Sequence, residues 1–335
     1  MNRPNDNRKP EFPKPFDFVP FPARRQREQP PGHDAFRGLS GRLEYDLIVS
    51  TPLHVSSGTY SLAKDAGFQG TGIMRDHYRV TVDGERTPAV PGSTLKGSAR
   101  AIVEAVTASC VSVSRRDLRA GVPRALEACQ PPELCPACAL FGAMSRLGRV
   151  RFVDAVQIEG GKAIYFLPQL FRPRPKGDDG RLTPLYTNDA GRFYGRKFYY
   201  HGKVAPRHAE AAPIEVLTPR SRLRASVTFE SLSEPELGLL LFGLGLDHSF
   251  RPLLGAGKPL ALGRVRPQAT RLTLYQRDSL LSAEPADETW VGDAVVARLE
   301  QAVAAAEPLI LDDQREELRR ILDPRNPREA PTGMY

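Results

Sequence analysis

All four cysteines of this 335-residue chain lie between residues 110 and 138, and this clustering constrains the fold more than any other feature. Their spacing, Cys110-x18-Cys129-x5-Cys135-x2-Cys138, ends in the C-x2-C pair that forms half of many structural zinc sites. A tetrahedral zinc takes four thiolates or imidazoles, so we expect the four sulfurs to converge and to pin this segment. Four thiolates leave no open coordination position, which disfavours a catalytic zinc. The alternative, four unrelated buried thiols, fits the clustering less well.

Segments with strand and helix patterns follow one another in a definite order. A helix is predicted to run from the turn at Ser93 to Val106, and a second helix follows the capping box that Ser233 and Glu236 form. Alternation of apolar and polar residues predicts four strands, at residues 42–50, 149–156, 223–229 and 261–274. The order is βαββαβ. It predicts an α+β fold with a ferredoxin-like or RRM-like core, large insertions and a zinc-stabilised segment.

Composition predicts three regions along the chain. Residues 1–40 are rich in proline and arginine, which favours a disordered basic arm, although a plain solubilising tail is an equal alternative. Residues 41–275 form the main domain, and residues 276–335 form an acidic helical extension that serves as a docking helix or a lid. The alternative for the extension is an ordinary helix packed on the same domain. Insertions in the main domain are expected at about 51–89, 107–148 and 160–220.

The C-terminal extension shows a helical pattern of its own. Val295, Val296 and Leu299 fall on one predicted helical face, with Val303 one turn further on.

The charge of the chain points to an acidic partner. The formal net charge is +8 and the isoelectric point is near 9.4, values that suit nucleic acid as a partner, although a protein can be basic without binding it. No apolar run approaches the ~20 residues that span a membrane, and the first residues contain no secretory signal. We therefore expect no membrane partner and a reducing cytoplasmic location, in which the cysteines are thiols or metal ligands.

The glycine-rich segment at residues 253–266 has the composition of a loop that binds phosphates. Gly255 and Gly257 allow the backbone to approach a ligand closely, and Lys258 and Arg264 add positive charge. The segment does not match the fingerprints of mononucleotide or dinucleotide sites, so a nucleic-acid backbone is the favoured ligand. A glycine turn that simply precedes a strand is the alternative.

The start of the first predicted helix is a second candidate anion site. Ser93, Thr94 and Lys96 lie where the helix has free N–H groups and a positive dipole, and Arg100 lies one turn further on. The alternative is a helix that caps itself with Ser93 or Thr94.

Four motifs follow one another along the chain: Val90-Pro91-Gly92-Ser93-Thr94-Leu95-Lys96-Gly97, Cys135-Pro136-Ala137-Cys138-Ala139-Leu140-Phe141-Gly142, Gly148-Arg149-Val150-Arg151-Phe152-Val153-Asp154-Ala155 and residues 253–266. In this order they resemble the RAMP superfamily of CRISPR proteins, over roughly residues 41–272, and look most like the backbone subunits of type III effector complexes.

The resemblance implies an RRM-like core that stacks with other subunits of a CRISPR complex along a guide RNA, with a thumb-like hairpin between guide and target RNA. It assigns the turn at Lys96 and the glycine-rich segment to guide phosphates. The basic, aromatic stretch from Arg192 to His201, with Arg196 and Lys197, then stacks on bases or lines the groove, unless it is an ordinary half-buried hairpin.

In the family, an aspartate in the loop after the first strand supports metal-dependent cleavage of target RNA. Counting forward from the strand places Asp65 near that position, whereas counting back from Pro91 places Gly70 there. A lone carboxylate can bind Mg²⁺ and orient a ribose hydroxyl, and Lys64 can offset the developing charge. Asp76 is a second candidate, although a turn aspartate is the favoured interpretation.

Two other functions remain open from the sequence. An endoribonuclease that processes precursor RNA needs a general base, and only His54 is well placed, although a packed or solvated histidine is more common there. A non-catalytic capping or adaptor subunit that binds protein more than RNA is the other alternative.

Overall fold

The computed structural model describes residues 14–34, 37–65, 67–69, 72–111, 116–167, 175–177, 179–203, 212–276 and 287–328. Within these residues the chain is a mixed α+β protein with several sheets. Its helices are α1 (Gly92–Val106), α2 (Pro136–Phe141), α3 (Glu234–Gly243), α4 (Asp293–Ala305) and α5 (Asp312–Ile321). Its strands are β1 (Phe16–Pro20), β2 (Leu39–Val49), β3 (Ser56–Leu62), β4 (Ile73–His77), β5 (Arg79–Val82), β6 (Glu85–Val90), β7 (Val150–Phe152), β8 (Ala155–Glu159), β9 (Lys162–Leu167), β10 (Gly195–Tyr199), β11 (Ala212–Leu217), β12 (Arg222–Leu232), β13 (Val265–Leu274) and β14 (Glu288–Val291).

The largest sheet has the strand order β14-β13-β2-β12-β8-β6-β5, and β7 pairs with β12 beside β8. Along β13, β2, β12 and β8 each neighbouring pair of strands is antiparallel. In β2 the residues Leu43, Tyr45 and Leu47 are buried, because each alternate side chain points to the helix-covered face. The charged residues between them lie on the opposite face.

Helices α1 and α3 lie against each other, and α3 is enclosed on both sides. All residues of α3 from Leu237 to Gly243 are buried, which explains why its sequence lacks a polar face. A Cβ at Gly243 would lie 2.7 Å from Val103 of α1, and one at Gly238 would lie 1.8 Å from the Ala302 carbonyl of α4. Close backbone contact on both sides therefore requires glycine at these two positions. The predicted capping box of Ser233 and Glu236 is present.

The N-terminal region differs from the predicted disordered arm. Residues 16–20 form β1, which pairs along its length with β10, and Val19 is fully buried. The buried apolar side chains of Phe16 and Val19 supply the contacts that order this segment despite its polar composition. Residues 1–13, which hold part of the predicted arm, lie outside the described residues.

The C-terminal region packs into the main core rather than standing apart from it. One cluster of buried apolar residues extends from Val19 to Leu322 and includes Val295 and Leu299 of α4. Val296, which the sequence placed on the same helical face as these two residues, is exposed. The structure thus matches the alternative of helices packed on the same domain, and it adds β14, which the sequence pattern did not predict.

The insertions contribute a second sheet with the order β3-β4-β11-β9. The predicted excursion at 51–89 contains the hairpin of β3 and β4, and the insertion at 160–220 supplies β9 and β11. The last core strand begins at Val265 rather than at 261. The reason is local: residues 258–260 form a 3-10 turn, and Ala261 has a left-handed φ of 63°.

Candidate functional site

The four cysteines converge as predicted. All four are buried, and their sulfur atoms lie within 4.8 Å of one another. Cys110 Sγ lies 3.5 Å from Cys138 Sγ and 3.7 Å from Cys135 Sγ. A tetrahedral zinc with ~2.3 Å bonds holds its sulfurs roughly 3.8 Å apart, whereas a disulfide brings them to about 2.0 Å. The donor set and its spacing therefore fit a structural zinc ion.

Backbone N–H groups support the thiolate form of this cluster. The Cys110 N–H donates to Cys135 Sγ and the Cys135 N–H donates to Cys129 Sγ, each at 3.4 Å. Hydrogen bonds from the neighbouring thiols, first of all Cys110, lower the pKa of Cys135. Contacts with the neighbouring thiols also lower the pKa of Cys129 and raise the pKa of Cys110 and of Cys138. A metal ligand must be deprotonated, so a bound metal ion would displace the protons that Cys110 and Cys138 retain.

The N-terminus of α1 carries an anion that belongs to the protein itself. The Asp154 carboxylate accepts a hydrogen bond from the Gly92 N–H at 2.8 Å and another from the Tyr78 hydroxyl at 2.9 Å. Glycine is required at position 92, because a Cβ there would lie 2.4 Å from the Phe152 carbonyl. Two of the sequence motifs thus meet at this helix end. The N-cap residue of the helix is Pro91, so Ser93 and Thr94 lie within the first turn and not at the capping position that the alternative requires.

The glycine-rich segment makes close contacts with the loop after β2. Gly255 has a φ of 72°, and a Cβ there would lie 2.1 Å from the His54 carbonyl. The Ala256 N–H donates to that same carbonyl, and the Leu254 N–H donates to Gly263. The N–H groups of Leu254 and Ala256 are therefore committed to the fold and are not available to an anion.

Two cations of this segment lack a compensating acid. Lys258 and Arg264 are both partly buried, and burial lowers the pKa of each. Among the described residues neither forms an ion pair with a carboxylate, and the Arg264 Nε atom has no hydrogen-bond partner. Gly257, with a φ of 75°, starts the 3-10 turn that positions Lys258. Partly buried cations without an acid favour an external anion as partner.

A cavity of about 710 Å³ lies between α1, the glycine-rich segment and β10. We refer to it as the basic cavity. Five of the predicted RNA-binding residues line it: Thr94, Arg196, Lys197, Gly255 and Lys258. The structure thus brings together residues that lie more than 160 positions apart in sequence, as Thr94 and Lys258 do.

Aromatic side chains form much of the remaining wall of the basic cavity. They come from three separate segments: Phe18 in β1 and Phe21 just after it, Tyr186 and Phe193 in the loop that precedes β10, and Phe198 and Tyr199 of β10. The sequence interpretation missed Phe18 and Phe21, because it assigned them to a disordered arm. Their apolar spacing within a proline-rich segment was the only available signal.

Lys197 is surrounded by aromatic rings at one side of the basic cavity. Its Nζ lies 4.3 Å from the centre of the Phe16 ring and 4.6 Å from that of Tyr199, and it donates to the Tyr199 hydroxyl. Burial, with a contribution from the charge of Lys14, lowers the pKa of Lys197 to about 8. The ammonium group is therefore poised to lose its proton slightly above neutral pH.

The remaining predicted residues on α1 do not line the basic cavity. Ser93 is exposed. Burial lowers the pKa of Lys96, and the nearby charges of Arg100 and Arg151 lower it further. The guanidinium of Arg100 contacts Glu104, Gly142 and Cys138. These contacts do not test the predicted phosphate role of these residues, which stays a prediction.

Asp65 lies at the exposed turn of the β3–β4 hairpin, beside Lys64. Its N–H donates to the Leu62 carbonyl at 3.0 Å. Asp76, on β4, accepts hydrogen bonds from Thr59 and Ser61, so its carboxylate is committed within the hairpin. Gly70 lies outside the described residues.

His54 is a packed residue in this structure. It is 2% exposed, its Nδ1 lies 2.6 Å from the Glu215 carbonyl, and burial lowers its pKa. His77, its ring neighbour, is equally buried.

A family comparison agrees with this arrangement of fold and motifs. The model of the RAMP superfamily matches residues 46–265, more than half of the chain. The chain therefore belongs to the RAMP superfamily, and membership implies an RNA-binding role in CRISPR systems. None of the curated proteins compared with the chain matches it. Among the described residues, no helix has the length and apolar character that crossing a bilayer requires.

Proposed function

We propose that this chain is a guide-RNA-binding backbone subunit of a type III CRISPR effector complex. The observation that carries the proposal is the basic cavity, which is lined by Lys197, Lys258 and several aromatic side chains, and in which neither lysine forms an ion pair with a carboxylate among the described residues. A single-stranded nucleic acid offers what this surface lacks, phosphates for the cations and bases for the rings.

The core that carries this cavity is, in our proposal, ferredoxin-like. In chain order the core elements are β2, α1, β8, β12, α3 and β13, and the sheet places the four strands in the order fourth, first, third, second. All neighbouring pairs among them are antiparallel. The βαββαβ order and this arrangement both support the RRM-like core that the sequence predicted.

In this proposal the guide backbone follows the basic cavity and the adjoining cations. Lys258, Arg264 and Lys197 bind phosphates, and Thr94 and Gly255 line the cavity through which the RNA passes. Lys96, with Arg151 beside it, extends the positive surface along α1. Other RAMP subunits of the complex and a target RNA are the expected partners.

Cleavage of target RNA is proposed to depend on Asp65. Its position at an exposed hairpin turn would place a carboxylate, and a Mg²⁺ ion that it binds, within reach of a second strand that passes the hairpin. The alternative function as a precursor-processing enzyme receives less support. Its only candidate base, His54, is buried and hydrogen-bonded to a backbone carbonyl.

The four cysteines are proposed to hold one structural zinc ion. The zinc would fix the loop between α1 and α2, which carries three of the ligands, Cys110, Cys129 and Cys135, and borders the basic cavity.

RNA titration at several salt concentrations tests the proposal. Lys258→Glu should weaken binding for every RNA sequence and reduce the slope of log K against log salt by about 0.7 or more, because a phosphate contact is lost. Arg325→Glu is the matched control, since its side chain is 87% exposed and lies away from the cavity. Unchanged affinity of Lys258→Glu, or binding that does not respond to salt in the wild type, would contradict the proposed RNA site.

A further inference from the structure

The guanidinium of Arg100 reaches the cysteine cluster. Its Nη2 donates to Cys138 Sγ at 3.4 Å, its Nη1 donates to the Gly142 carbonyl at 2.9 Å, and its Nε donates to Glu104 at 2.8 Å. The fork of the guanidinium thus makes three directed contacts at once. A cationic donor stabilises a thiolate more than a neutral donor does.

These contacts belong to a hydrogen-bond network that joins two of the cysteines. The Glu104 carboxylate, 7% exposed, accepts from Arg100 through one oxygen and from Arg196 through the other, at 2.7 Å. Arg196 in turn donates to the Cys110 carbonyl at 2.6 Å. The network runs from Cys138 Sγ to the backbone carbonyl of Cys110, so both of its ends are residues of the cysteine cluster.

A zinc site with four thiolates needs positive charge nearby, and the network supplies it. A zinc ion with four thiolates carries two excess negative charges, and burial makes such charge costly unless it is compensated. Arg100 brings a positive charge into direct contact with one sulfur, and Glu104 holds that guanidinium in place.

We propose that Arg100 is a positioning residue of the zinc site. Arg100 orients Cys138 and stabilises the Cys138 thiolate, and the Arg100–Glu104–Arg196 network holds the guanidinium in place. The inference rests on the proposed zinc and gives Arg100 a role distinct from phosphate binding. Partners of this kind orient metal ligands, and their loss typically weakens metal binding by about 10–100-fold.

Metal competition on the full chain tests the inference. The affinities of wild type, Arg100→Ala and Arg100→Lys for zinc are compared by titration with a chromophoric chelator. The absorption bands of the cobalt-substituted proteins report the geometry of the thiolate site. Arg325→Ala is the control, because Arg325 is an exposed arginine that pairs with Asp323 and contacts none of the cysteines.

We expect Arg100→Ala to bind zinc about 10–100-fold more weakly and to shift the cobalt bands. Arg100→Lys should recover part of the affinity, since it restores the charge without the fork, and the control should match the wild type. Wild-type zinc affinity and wild-type cobalt bands in Arg100→Ala would overturn the inference. If that variant does not fold, Arg100→Lys decides the question, because unchanged bands in it would show that the fork orients nothing. A wild type that binds neither metal through its thiols would instead refute the zinc site itself.

Discussion

Arg79 and Glu215 form a buried, two-pronged ion pair that ties the second sheet to the largest sheet. Both guanidinium nitrogens of Arg79 contact the Glu215 carboxylate, at 2.5 and 2.8 Å, and the Glu215 side chain is fully buried. The same carboxylate accepts from the His77 N–H. One acidic residue of β11 therefore joins β4 and β5, and through them the hairpin that carries Asp65.

Removal of this carboxylate should destabilise the protein strongly. Glu215→Ala leaves Arg79 largely buried without its partner, so we expect the free energy of unfolding to fall by about 3–5 kcal/mol. Denaturant unfolding followed by circular dichroism measures the change. Asp323→Ala, which breaks the exposed pair with Arg325, should cost less than about 1 kcal/mol. An equal loss of unfolding free energy in the two variants would show that the buried ion pair stabilises the protein no more than the exposed one does.

Gly263 is a position where both the backbone angle and the surrounding space exclude a side chain. Its φ is 83°, and a Cβ would lie 1.9 Å from the Leu254 carbonyl. Gly263→Ala should therefore cost more than the roughly 1–2 kcal/mol of the left-handed conformation alone. Gly58→Ala is the matched control, because Gly58 has a φ of 86° with nothing near its Cβ position. Thermal unfolding measures the loss of stability in the two variants. The loss in Gly58→Ala reports backbone strain alone, and a similar loss in Gly263→Ala would argue against an added steric clash.

The affinity for RNA should depend on pH through Lys197. Burial lowers the pKa of Lys197 to about 8, so the free protein loses this positive charge as the pH rises through 8. The protonated form attracts phosphate, and we expect RNA affinity to fall between pH 7 and pH 9. Lys197→Met should bind more weakly at pH 7 and show a flatter profile over this range. A wild-type profile in the variant would mean that another group titrates.

Cleavage should be lost in Asp65→Asn without loss of RNA binding. The amide keeps the size of the side chain but removes the charge that would bind Mg²⁺. Cleavage of a labelled target by the assembled complex, with and without a chelator of divalent ions, measures the effect. Asp76→Asn serves for comparison, since Asp76 is committed to hydrogen bonds with Thr59 and Ser61. Full cleavage by Asp65→Asn would remove that residue from the site.

Local patterns in the sequence predicted the order of the core strands and helices, the capping box at Ser233 and the meeting of the four cysteines. The helices, strands and capping box depend on residues that are close in sequence, and the meeting of the cysteines was predicted because four clustered thiols commonly bind one zinc ion. Periodicity within 10 residues reports which side of an element is buried, and it does so without knowledge of the partner.

The tertiary structure alone decided which residues share a surface. Asp154 occupies the N-terminus of α1, Phe18 and Phe21 complete the basic cavity, and Arg100 turns toward the cysteines rather than the cavity. None of these relations leaves a local signature, because each depends on side chains that are brought together by pairing of distant strands. The sequence by itself determined the core strands and helices and the four sulfur donors of this protein, and long-range packing determined which side chains line the same cavity.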